Sequence, residues 1–114
     1  MRALGDVRLH PNDQAAIEAA ALVLRERFPV EAVYLFGSKA TGRDDAESDI
    51  DLLVLTSRPL QWRERDSVTD VLFDVEMRFE VVISTLIVDL EDWRHGPYQV
   101  LAIHDEIERD GVAA

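Results

Sequence analysis

The chain has 114 residues, 47% of them hydrophobic and 31% charged, enough for one core and one domain, expected over residues 1–114. Its 12 Lys and Arg face 23 Asp and Glu; a net charge of −11 repels a polyanion, and unaided nucleic-acid binding is not expected. There is no cysteine, no apolar leader and no run near the roughly 18 apolar residues a membrane span needs, so disulfides, thiolate metal sites and membrane insertion are not expected, and a cytoplasmic protein is.

Residues 12–28 carry Ile17, Ala20, Ala21, Leu24 and Phe28 at helical spacing, with Pro11, Asn12 and Asp13 as start signals and Pro29 as the stop. Residues 31–36, EAVYLF, predict a strand that Gly37-Ser38 breaks. A short helix over 39–42 and a polar loop, GRDDAES, follow. Residues 49–56, DIDLLVLT, predict a second strand, its later half apolar enough to be buried on both faces. After a turn at 57–60, residues 61–78 predict a helix with Val68, Val71, Leu72, Val75 and Phe79 as its buried stripe. Residues 79–88, FEVVISTLIV, predict a third strand. DLEDW reads as a helix start, and residues 98–110 as a last helix with Val100, Ile103 and Ile107 inward and Gly111 as C-cap. The fold class is α/β (α+β): a short mixed sheet with helices packed against it.

The pair Asp49 and Asp51 is the feature that calls for chemistry. At i and i+2 on a strand both carboxylates point to one face. At about 6 Å they repel by about 3 kcal/mol at an effective dielectric near 20. A hard divalent cation removes that cost, because Mg2+ takes one or two carboxylates and completes its shell with phosphate oxygens. Gly37 allows close backbone approach, Ser38 offers a hydroxyl to a phosphate, and Gly42 lets the chain turn again. Glu80, in an otherwise apolar strand, is the candidate third carboxylate. His10, His95 and His104 are too scattered for a metal pattern, and Trp62 and Trp93 read as core or interface residues.

Gly37-Ser38, ten residues, then Asp49-Ile50-Asp51 resembles the signature of the nucleotidyltransferase superfamily that includes DNA polymerase β. The chain looks like one of its minimal (MNT) members, which are often encoded beside a HEPN-domain protein as a toxin–antitoxin pair. The resemblance implies that Gly37, Ser38, Lys39 and Gly42 hold nucleotide phosphates. It implies that Asp49, Asp51 and Glu80 form the catalytic and metal-binding set, with two Mg2+ ions and ATP as co-substrate. The expected activity is transfer of AMP to a hydroxyl, a tyrosine of a partner HEPN toxin; a homo-oligomer is also compatible. The alternative is a non-catalytic module that neutralises a partner by binding it. Two departures stand out: relatives often read Gly-Ser-Arg-Ala-Arg-Gly where this chain has Lys39 and Thr41, and Glu80 replaces the commoner aspartate.

Overall fold

The strand that begins beside the acidic pair is the spine of the molecule. The computed structural model describes residues 2–43 and 48–114, so the middle of the polar loop expected over 42–48 lies outside the described residues. Strand β3 (Ile50–Thr56) is antiparallel to β2 (Val30–Phe36) and parallel to β4 (Ile83–Asp89). Two short strands, β1 (Arg2–Ala3) and β5 (Val112–Ala113), extend the sheet on the β2 side, giving the order β1-β5-β2-β3-β4. Neither was expected, because two residues are too few to show a strand's alternation.

Strand alternation sorts the sheet's side chains into two cores. Ile50, Leu52 and Val54 of β3, with Val33 and Leu35 of β2, are buried against helices α1 (Pro11–Arg27) and α3 (Trp62–Phe79). Leu53, Leu55 and Val88 are buried on the opposite face, where they join Trp93 of α4 (Leu90–His95) and Ile107 of α5 (Ala102–Asp110). The later half of β3 is therefore buried on both sides, as its apolar run requires. The expected helix after Gly37 is α2 (Ser38–Thr41). At the start of α1, His10 Nδ1 accepts the Asn12 amide at 3.2 Å, a structural role for that histidine.

Three expectations need correction. The strand expected from residue 79 begins only at Ile83. Phe79 lies in phase with Leu72 and Val75 and packs on the same core, so α3 runs on through it. Glu80 then closes the helix in the left-handed region, φ +55°, and the Val81 amide donates to the Glu76 carbonyl at 3.1 Å. Glu80 is thus an exposed helix cap and not a strand residue. The last helix is also split. A 3-10 turn, Pro97–Val100, is followed by extended Leu101, and α5 starts at Ala102; Val100 points into solvent, 87% exposed. Trp93 is buried as expected, whereas Trp62 is exposed with the Arg63 guanidinium 5.3 Å over its ring. Among the described residues no helix is long and apolar enough to cross a membrane.

Candidate active site

Asp49 and Asp51 share the sheet face that carries Leu53 and Leu55, the face covered by α4 and α5. The buried run below them anchors the strand, so its acidic end is held at the edge of the second core. In register, Asp51 stands between Phe36 on β2 and Ser84 on β4. The Ser84 hydroxyl donates to Asp49 Oδ2 at 3.4 Å. Asp49 is exposed and Asp51 half-buried. The Asp51 carboxyl is held above its ordinary range by burial first, then by the charges of Asp49 and Glu106.

The glycine of the Gly-Ser turn is required twice. Gly37 has φ +76°, a conformation that L side chains avoid. A Cβ there would also collide with Asp51 Oδ2 and lie 3.3 Å from its Cγ. The absent side chain is what lets the turn and the carboxylate meet. Ser38 opens α2, the Ala40 amide donates to the Gly37 carbonyl at 3.1 Å, and Gly42 ends the turn at φ +74°. The Thr41 hydroxyl faces inward to the Ser38 carbonyl at 3.3 Å.

Lys39 does not serve this site. Its side chain is 2% exposed, and its ammonium pairs with Asp13 of α1 at 2.9 Å. The lysine pins α2 to α1 beneath the sheet and does not reach toward phosphate. Glu80 is likewise removed from the aspartates' strand face. The β4 residue in register with Asp51 is Ser84, which carries no charge. Among the described residues no three His, Cys, Asp or Glu side chains converge as a metal cluster.

Instead, the cleft beside the Gly-Ser turn is closed by α5. It measures about 340 Å³ and is lined by Gly37, Ser38, Thr41, Arg43, Glu106, Arg109 and Asp110. Arg2 fixes its two walls: Nη2 donates to the Ala40 carbonyl at 2.9 Å and to the Asp110 carbonyl at 2.5 Å. Glu106, Arg109 and Asp110 were not singled out in the sequence. Their i, i+3, i+4 spacing, on the flank of the inward Ile103 and Ile107 stripe, was the signal that a second side of α5 faces a neighbour.

The donor set suits a divalent cation. Two carboxylates on one face, one of them charged only against burial and like charge, are the oxygen ligands Mg2+ takes when phosphates supply others.

The model of the "Polymerase beta, Nucleotidyltransferase" family matches residues 18–110. The chain belongs to that family. This nucleotidyltransferase is 25% identical, over 87 residues, to a Haemophilus influenzae protein named "Probable protein adenylyltransferase MntA"; the match covers 76% of each chain. Its fold is similar to that of a chain in a toxin–antitoxin crystal structure with AMP-PNP, with a TM-score of 0.59 and 20% identity, covering 91% of this chain and 72% of that one. A chain of a variant MntA–HpeT toxin–antitoxin complex superposes with a TM-score of 0.56 and 22% identity, covering 94% and 72%. These likenesses confirm the polymerase β-like fold, a mixed five-stranded sheet with helices on both faces.

Proposed function

We propose that this nucleotidyltransferase moves AMP from ATP to a hydroxyl on a partner protein, a tyrosine of a HEPN-type toxin, and so acts as an antitoxin. The observation that carries the reading is the carboxylate pair. Asp49 and Asp51 lie on one sheet face, Asp51 against a glycine whose missing Cβ makes room for it. The name of the Haemophilus influenzae relative and the AMP-PNP of the similar structure support the nucleotide; the toxin–antitoxin neighbours support the partner.

In this reading Asp49 and Asp51 would hold Mg2+, which when bound would supply positive charge against the phosphates. Gly37 and Ser38 receive the phosphates, and Gly42 shapes the turn. Glu80 has no part in it. The acceptor oxygen forms a bond to the α-phosphorus, the bond from that phosphorus to the bridging oxygen breaks, and pyrophosphate leaves. The acceptor's proton passes to a carboxylate of the cleft. Positioning and electrostatics carry such a transfer.

Titration with ATP in Mg2+ tests this. Wild type should bind only with metal present, and Asp49→Asn with Asp51→Asn should abolish binding; ATP affinity unchanged in the double variant sinks the reading. The uncharged Ser84 at the β4 position in register with Asp51 favours one other reading, a module that neutralises its partner by covering it. The same variant decides, because it would then still neutralise the partner.

A further inference from the structure

The cleft confronts a polyphosphate with Glu106 and Asp110 in its lining and with Asp51 against Gly37 beside it, so cations of the protein are needed beyond any metal. The turn itself supplies none. Lys39 is buried against Asp13, and Thr41 is uncharged with its hydroxyl turned to the Ser38 carbonyl. Among the described residues the cations that line the cleft are Arg43, just after Gly42, and Arg109, in the last turn of α5.

Arg109 is held for the task. Asp110 Oδ2 accepts from its Nε at 3.1 Å, and among the described residues its two Nη nitrogens make no other hydrogen bond to the protein. Those two nitrogens form the fork that pairs bidentately with phosphate oxygens. The wall that carries it is fixed, because Arg2 ties the carbonyl of Asp110 to that of Ala40 across the cleft. In a chain of net charge −11, these two arginines offset the Glu106 and Asp110 carboxylates of the same cleft.

We infer that Arg109, assisted by Arg43, is the cationic grip on the β- and γ-phosphates of the nucleotide, delivered from α5 and not from the Gly-Ser loop. This inference rests on the nucleotidyl-transfer reading above. It assigns α5 a binding role: the helix closes the cleft and holds the pyrophosphate portion, which gains charge as it leaves.

The test compares ATP and AMP, both in Mg2+, on wild type, Arg109→Gln and Arg109→Lys. Loss of a charge-assisted bond should weaken ATP by roughly 10- to 100-fold in Arg109→Gln. AMP, which lacks the β- and γ-phosphates, should change by less than about 2-fold on the same scale. Arg109→Lys should recover part of the ATP affinity, as a point charge without the fork. The Arg109 side chain is exposed, and a thermal melt of each variant checks that it is folded. Equal ATP affinity in Arg109→Gln and wild type overturns the inference alone, as does an equal loss for AMP and ATP. A folded wild type that binds no ATP overturns the nucleotidyl reading and this inference with it.

Discussion

At the scale of single residues, the site is built against the fold's own stability. Asp51 titrates above its ordinary range because burial, Asp49 and Glu106 all oppose its charge. Between its unfolded and folded pKa values the native state keeps a proton that the unfolded chain has lost. Stability therefore falls as pH rises through that window, and the whole penalty is present above it. Asp51→Asn removes the charge and should raise the metal-free Tm at pH 7 by about 2–5 °C, the ordinary yield of relieving a strained functional group. The gain should shrink below about pH 4, where the wild-type carboxyl is protonated as well. Mg2+ should raise the Tm of wild type and not that of the variant. Melting curves with and without Mg2+ at two pH values check this, and a variant less stable than wild type at pH 7 would contradict it. The shared face of Asp49 and Asp51 and the turn at Gly37-Ser38 were legible in the sequence because strand alternation and a strand-breaking glycine define them. Lys39 was not. In Gly-Ser-Lys it resembles a phosphate-binding residue, but its burial depends on Asp13, 26 residues earlier, a contact that no local pattern announces.

At the scale of elements, strand β4 shows how a sheet edge is managed beside a functional site. It is the last strand on its side. The Ile50 amide donates to the Val82 carbonyl at 2.9 Å, so Ser84, Leu86 and Val88 also turn their backbone groups toward β3. Ile83, Thr85 and Ile87 turn theirs outward. The Ile83 amide is taken by Glu76 Oε2 of α3 at 3.0 Å, and Arg65 Nη2 approaches the Ile87 carbonyl at 3.5 Å. The helix that crosses from β3 to β4 thus also blunts the edge that β4 would offer to another strand. Glu76→Ala should leave the Ile83 amide without its partner and cost about 1–2 kcal/mol. Glu76→Gln, which keeps an acceptor oxygen, should recover most of it. Urea denaturation measures both, and equal stability of the Ala and Gln variants would show that the carboxylate does no such work. The long elements were readable because each carries three or more apolar residues in phase. The boundary at 79–82 was not, since β-branched residues after a helical stripe fit either period, and the tertiary contact of Phe79 with the α1–α3 core decided it. The two-residue strands β1 and β5 exist only through pairing with distant chain.

At the scale of the whole molecule, charge sets which acceptor can approach. A net −11 is spread over a body of 34 × 30 × 20 Å, dimensions of the same order as the roughly 8 Å Debye length at physiological salt multiplied a few times. Its field is screened beyond about one Debye length, roughly 8 Å, from the surface, and a polynucleotide, with a negative charge about every 1.7 Å of duplex, meets repulsion within that distance. In the proposed reading a single nucleotide escapes this, because a metal at Asp49 and Asp51 and the arginines of the cleft would compensate its few charges locally. A polymer cannot be compensated in that way, since its flanking phosphates lie over uncompensated carboxylates. The hydroxyl acceptor should accordingly be carried by a protein, and a cationic one gains from the same field. The expected outcome is that labelled 20-nucleotide DNA and RNA show no anisotropy change with the Mg2+-loaded protein at 150 mM salt, and accept no AMP at their ends. Retention that weakens with added salt would instead reveal a basic track running out from Arg43 and Arg109, and would move the acceptor from a protein hydroxyl to the end of a nucleic-acid chain.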